Sequence, residues 1–340
     1  MHPFVYEQPT DISAAVAIAS RFTTNDDQPT RANAQFIAGG TNLADYMKLG
    51  VAEPNRLLDL NRLADPGLRQ IRATDNGIRF GALVRMGEAA DHAEVKRRYP
   101  VIADSLRLAA SGQIRNMASL AGNILQRTRC EYFRETSWHC NKRVPGSGCA
   151  AMEGFNRQHA VLGASDACIA TYHGDFAQAL IALDAVVHAE GSRGTRKLPF
   201  AKLHRQPGDT PYIETDLAAD EIVSAIEVPA IPWARRSLYL KIRDRESYAF
   251  ALASAAIALD LDGDNVREAR IALGGVATVP WRARAAEEAL QGKKLDEASA
   301  RVAADAAFAE AQPRQHNAFK IELGKRTLVR ALLEARDMEM

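Results

Sequence analysis

Apolar residues at helical spacing near the N-terminus predict a helix over 14–21, with Thr10 as its N-cap. A short apolar run predicts a strand at 35–38, followed by a turn at Gly39-Gly40-Thr41-Asn42. A short helix at 43–49 and a second strand at 56–60 complete a βαβ-like unit. Runs at 70–74 and 78–82, flanking Asp75-Asn76-Gly77, predict a hairpin. Helical stretches follow at 87–98 and 101–110, then a glycine-punctuated segment at 111–123 and a cysteine-bearing region to 168. The pattern then gives a helix at 175–185 and strands at 186–190, 196–200 and 221–228.

Pro229-Ala230-Ile231-Pro232 reads as a linker, because the pattern changes beyond it. Long antiparallel strands are predicted at 237–242, 249–261 and 266–276, and alanine-rich helices at 281–291, 295–310 and 317–336. There is no internal repeat. The expected fold class is α+β. An N-terminal domain over 1–229 carries the cysteine-bearing insertion at about 125–168, and a smaller C-terminal domain of antiparallel sheet plus helices covers 233–340.

Composition changes this picture little. The chain has 340 residues, 43 basic against 42 acidic, and 47% hydrophobic residues, which is ordinary for a globular protein. A net charge of +1 gives no reason to expect nucleic acid or an anionic membrane as partner. No apolar run reaches the ~18 residues of a membrane span. Met1-His2-Pro3-Phe4-Val5-Tyr6-Glu7 has neither a basic region nor an apolar core, so no signal peptide is expected. On these grounds the chain stays in the cytoplasm unless a partner carries it out.

The cysteines do change it. Cys130, Cys140, Cys149 and Cys168 are the only four, and their spacing is Cys-x9-Cys-x8-Cys-x18-Cys. Four thiolates in one segment can hold a [4Fe–4S] cluster or a zinc ion. The spacing matches neither a ferredoxin run nor a zinc ribbon, and two disulfides or four unrelated buried thiols also remain open. Arg127, Arg129, Lys142 and Arg143 lie among them, either as a solvated loop face or as charge that offsets a thiolate-bound cluster. His139 and His159 are alternative ligands only if one cysteine is free.

Three further motifs are each weak alone. Ala38-Gly39-Gly40-Thr41-Asn42 reads as a tight turn, or as backbone that can approach a pyrophosphate at a helix start. It is not the G-x-G-x-x-G fingerprint. Ser119-Leu120-Ala121-Gly122-Asn123-Ile124 reads as a glycine loop or a cofactor-lining segment. Gly174-Asp175-Phe176-Ala177-Gln178-Ala179-Leu180 reads as a helix capped by Asp175.

Taken in order, these motifs resemble the FAD-binding subunits of the xanthine oxidase family of molybdenum hydroxylases. Leu273-Gly274-Gly275-Val276-Ala277, Pro280-Trp281-Arg282 and Lys241-Ile242-Arg243-Asp244-Arg245-Glu246-Ser247-Tyr248-Ala249 extend the resemblance over nearly the whole chain. It implies a two-part FAD-binding domain of the vanillyl-alcohol-oxidase type. It also implies FAD contacts from Ile37, Ala38, Gly39, Gly40, Thr41, Asn42 and Leu43 around the pyrophosphate, and from Ser119, Gly122, Asn123 and Leu125. Asp175 and Val223 are implied near the flavin end. No catalytic acid or base follows, because the flavin carries the redox chemistry.

The cysteine segment separates the Gly-Asn motif from Asp175, whereas simpler family members join them closely. Gln126–Cys130, Cys140–Ala151 and Gly154-Phe155-Asn156-Arg157-Gln158-His159-Ala160 resemble the flavin subunits of bacterial periplasmic aldehyde oxidoreductases, and 4-hydroxybenzoyl-CoA reductase carries a comparable insertion. That resemblance implies a [4Fe–4S] cluster on all four cysteines. It implies a heterotrimer with a molybdenum-cofactor subunit and a [2Fe–2S] subunit, and oxidation of an aldehyde at the partner's molybdenum. It further implies a periplasmic location reached by co-export with a signal-bearing partner, with cytoplasmic residence as the alternative. Two other readings of the chain are a self-standing FAD oxidase and a zinc-bound scaffold with a degenerate flavin site.

Overall fold

The computed structural model describes residues 1–24 and 28–339. Strands β1 (Val5–Glu7), β2 (Ala34–Ile37) and β3 (Arg56–Asp59) form a parallel sheet in the order β1-β3-β2. Helix α1 (Ile12–Phe22) packs Ala15, Val16 and Ala19 inward. Its N-cap is Asp11 rather than Thr10, because the Asp11 carboxylate accepts the Ala14 N–H at 2.8 Å. Helix α2 (Leu43–Lys48) follows the glycine turn and leads back to β3, giving the expected βαβ unit.

A five-stranded antiparallel sheet comes next, in the order β4-β5-β8-β6-β7. Its strands are β4 (Ile71–Thr74), β5 (Gly77–Gly81), β6 (Val186–Gly191), β7 (Gly194–Pro199) and β8 (Ile222–Pro229). Phe80, Ile226 and Val228 from this sheet share a core with Ile102, Leu106, Phe176 and Leu180 of the covering helices. Instead of one helix at 87–98 there are two, Met86–Asp91 and Ala93–Arg98, parted at His92, whose backbone is extended. The segment at 111–123 is also helical: Ser111 caps Gly112–Met117 and Ser119 caps α3 (Leu120–Ile124).

Strands β9 (Ser237–Ile242), β10 (Ala253–Asp262), β11 (Asn265–Gly274) and β12 (Trp281–Arg282) form the last sheet, in the order β12-β11-β10-β9. Strand β10 is buried on both faces, which explains its unbroken apolar run. Ala255, Ile257 and Leu259 face the core of the C-terminal helices, while the small Ala256 and Ala258 join the core of the five-stranded sheet. Strand β10 thus contributes to both cores.

The cysteine segment contains one short helix, Glu131–Arg134, and otherwise turns and bridges. It is anchored on both sides. Cys130, Phe133, Cys140 and Cys168 pack with Tyr46, Met47, Val51 and Leu57, and Val161 and Leu162 enter the C-terminal core. Arg143 is buried and donates to the carbonyls of Tyr132 at 2.8 Å and Phe133 at 2.7 Å. Lys142 is also buried, shares Glu214 with Arg127, and donates to the Pro211 carbonyl. These two side chains pin the segment internally and do not form a solvated face.

Candidate functional site

A cavity of about 930 Å³ opens between the small parallel sheet, the segment 82–125 and the loop that precedes β10. Cofactor sites commonly have volumes of roughly 300–1,000 Å³. Every residue that the family resemblance assigns to the cofactor lines it. Ile37, Ala38, Gly39, Gly40, Thr41, Asn42 and Leu43 form one wall; Ser119, Gly122, Asn123 and Leu125 form another; Asp175 and Val223 complete it.

The glycine turn is set by two different constraints. A Cβ on Gly39 would stand 2.1 Å from the Met117 carbonyl oxygen, so close packing of two backbones excludes any side chain there. Gly40 has room for a Cβ in ordinary contact with Ile37, but a φ of +71°, which side-chain-bearing residues rarely adopt. The result is bare backbone facing the cavity. Beside it, Asn42 accepts the Arg127 N–H at 2.9 Å while its amide nitrogen, although buried, has no partner. Another wall carries the Asn123 side-chain oxygen, Oδ1, which is likewise buried and unpartnered. Buried polar atoms left unpaired are costly, so an unpaired donor and acceptor on the walls point to a polar ligand.

Asp175 stands at the start of the helix Phe176–Ala182 (α4) but makes no capping bond. Its carboxylate instead takes Lys241 Nζ at 2.8 Å and the Tyr239 hydroxyl at 2.7 Å, both from β9. The helix-cap reading is thus replaced by a buried ion pair between the two parts of the chain, at the cavity wall. Burial raises the Asp175 carboxyl, and Lys241 opposes that shift. The residues predicted to begin a strand at 249 instead continue the loop, and Tyr248, Ala249, Phe250, Ala251 and Leu252 line the cavity. Tyr248 has a φ of 52° and is exposed at the rim. His173, against Phe250 at 4.6 Å, is held neutral by burial, with its pKa lowered to about 3. Sequence reasoning missed Lys241 as a site residue, although it had marked the motif in which Lys241 stands.

The four cysteines converge behind this cavity. All are free thiols. Cys130 feels the charges of Cys140 and Cys168, and Cys149 those of Cys140. Cys140 and Cys149 face each other across an antiparallel bridge. Burial pushes the Cys130 and Cys149 thiols up and Cys168 up to about 11, so these three are not ready nucleophiles. Among the described residues no group of three or more His, Cys, Asp or Glu is arranged to hold one metal ion. His159 Nε2 lies 3.2 Å from Cys130 Sγ, while His139 is exposed. A small cavity of about 30 Å³ is lined by Cys130 and His159, and it shares Arg129, Glu131, Gln158 and His173 with the large one. Among the described residues no helix is long and apolar enough to cross a membrane.

Residues 2–231 match the model of the FAD binding domain in molybdopterin dehydrogenase, and residues 238–335 match that of the CO dehydrogenase flavoprotein C-terminal domain. The chain belongs to the FAD-binding subunits of the xanthine oxidase family. Within that family it is 47% identical to PaoB, the aldehyde oxidoreductase FAD-binding subunit of Escherichia coli K12, over 99% of each chain. The carbon monoxide dehydrogenase medium chain of Hydrogenophaga pseudoflava is 26% identical over 91% of this chain and 88% of its own. A solved carbon monoxide dehydrogenase structure from the same organism superposes with a TM-score of 0.75 at 27% identity, covering 98% of this chain and 97% of its own. As an FAD-binding subunit the chain has a cavity suited to the dinucleotide. Bare backbone at Gly39-Gly40 can admit phosphates, and the unpaired amide atoms of Asn42 and Asn123 await polar partners.

Proposed function

We propose that this FAD-binding subunit relays electrons in a molybdenum-dependent aldehyde oxidoreductase. An aldehyde and water become a carboxylic acid at the molybdenum of a partner subunit, releasing two electrons and two protons. The electrons pass through a [2Fe–2S] partner to this chain and then to an external acceptor. The observation that carries this reading is the 47% identity to an aldehyde oxidoreductase subunit over both full lengths, cysteine segment included. Bound FAD would supply the exchange between two-electron and one-electron steps. The chain's own residues bind and orient it: the Ile37–Leu43 wall around the pyrophosphate, Ser119, Gly122, Asn123 and Leu125 beside it, and Asp175 and Val223 toward the flavin.

The same reading divides the chain into residues 1–229 and 233–340, and assigns a [4Fe–4S] cluster to Cys130, Cys140, Cys149 and Cys168. In such a cluster each thiolate binds a different iron, so the sulfurs stand farther apart than around one ion. Convergent free thiols, three of them buried and Cys149 half-buried, support it, because coordination is what would deprotonate them. Co-export to the periplasm with a signal-bearing partner in a heterotrimer belongs to this reading, with cytoplasmic residence as its alternative.

The test is anaerobic mixing of an aldehyde with the co-expressed complex. The flavin absorbance should bleach, and the chain alone should show no bleaching. About four irons per copy of this chain are expected beyond the partner's, and each of Cys130→Ser, Cys140→Ser, Cys149→Ser and Cys168→Ser should remove them. Aldehyde turnover by the isolated chain would contradict the relay. Unchanged iron in every variant would contradict the cluster.

A further inference from the structure

Lys320 has no exposed surface, yet it carries an ammonium. It is the second residue of the helix Phe319–Arg336, and its Nζ donates to the carbonyls of Gln158 and His159, each at 3.1 Å. Those carbonyls belong to the cysteine segment, and the His159 ring reaches Cys130 Sγ at 3.2 Å. Among the described residues Lys320 pairs with no carboxylate. The one charge that acts on it appreciably is Arg157, another cation. A buried charge without a partner carries a heavy desolvation penalty and normally loses its proton or finds a counter-ion. With none, burial draws the ammonium down to about 7.

A second observation points the same way. On the other side of the cysteines, Arg127 and Lys142 share the single carboxylate Glu214 and leave one positive charge over, and Lys142 acts directly on Cys168. The buried side chains that flank the cysteines are therefore cationic on both sides, with Lys320 joined to Cys130 through His159 and Lys142 acting on Cys168. That is the field an anionic thiolate-ligated centre needs, and neutral thiols would leave it uncompensated.

We propose that Lys320 is the buried counter-charge of the centre held by the four cysteines, and that it holds that centre's reduction potential up. This rests on the cluster assignment above. Lys320 is not a ligand; it acts through space and by fixing the carbonyl of His159, whose ring contacts Cys130. A positive charge nearby favours the state with one more electron, so neutralising it lowers the potential.

Two variants of the full chain separate charge from packing: Lys320→Gln, which keeps a donor for the carbonyls, and Lys320→Arg, which keeps the charge. Each is purified anaerobically, assayed for iron and flavin, and titrated redox-potentiometrically with electron paramagnetic resonance detection. At the wild-type midpoint, Lys320→Gln should show an about tenfold lower ratio of reduced to oxidised cluster, equal to 59 mV for a one-electron centre. Lys320→Arg should stay within about twofold of wild type. Loss of iron in Lys320→Gln with retention in Lys320→Arg would also support the proposal, since both keep a donor for the carbonyls and only the second keeps the positive charge. A wild-type midpoint in Lys320→Gln would overturn it, as would equal effects in both variants or iron loss in both. Wild-type protein without iron would overturn the cluster assignment itself, and the proposal with it, which the iron assay reports separately from the midpoint.

Discussion

Gly40→Val should purify folded but nearly free of flavin. The position has room for a Cβ, whose nearest neighbour would be Ile37 Cδ1 at 3.4 Å, so the turn is not excluded by crowding. What excludes valine is the φ of +71°, where a β-branched side chain is strained by about 1–3 kcal/mol. The turn can relieve that strain by leaving the left-handed region. Doing so swings the Gly39–Thr41 backbone out of the wall it forms. FAD affinity should then fall about ten- to hundredfold, read as the flavin-to-protein ratio and by titrating FAD into apoprotein. A folded variant with wild-type flavin content would remove this turn from the site. Gly39→Ala should behave differently, losing stability as well as flavin, because its Cβ would meet the Met117 carbonyl.

Lys241→Met should be the most destabilising single change at the site. Lys241 and Asp175 have side chains only 1% and 5% exposed, so removing the ammonium leaves a buried carboxylate with the Tyr239 hydroxyl as its hydrogen-bond donor and only the charge of Arg243 acting on it. Breaking a buried pair in this way costs about 3–5 kcal/mol. The effect should depend on pH with a definite sign. Burial already raises the Asp175 carboxyl and Lys241 opposes it, so the variant's carboxyl rises further. A carboxyl with a raised folded value binds more protons when native than when unfolded, and stability falls as pH rises through that value. The gap between variant and wild type should therefore narrow on acidification. The double variant Asp175→Asn, Lys241→Met should recover much of the loss. Denaturant unfolding at two pH values measures both, and a single variant within about 1 kcal/mol of wild type would show the pair to be dispensable.

The N-terminal βαβ unit was legible because its signals are local: two apolar runs, a Gly-Gly turn and a short amphipathic helix. The cavity wall became legible only when the same turn and Ser119-Leu120-Ala121-Gly122-Asn123 were taken in order as a family resemblance, since each alone reads as a structural turn or loop. What the sequence hid was long-range. Asp175 looks like a helix cap from its neighbours, and only the position of β9 reveals Lys241 and Tyr239 as its partners. Lys142 and Arg143 look like solvated charges, yet distant carbonyls and Glu214 draw them inside. Residues 249–252 extend an apolar run and read as strand. They lie in the loop because they face the cavity rather than pairing across the sheet. The break at His92 has no signal in residue type at all.

The account stands most directly on one determination: acid-released flavin, quantified against protein, in the wild-type chain. Noncovalent FAD approaching one per chain, released intact as the dinucleotide, is the predicted result. A folded chain that holds no flavin, and takes none up from micromolar FAD, would contradict it.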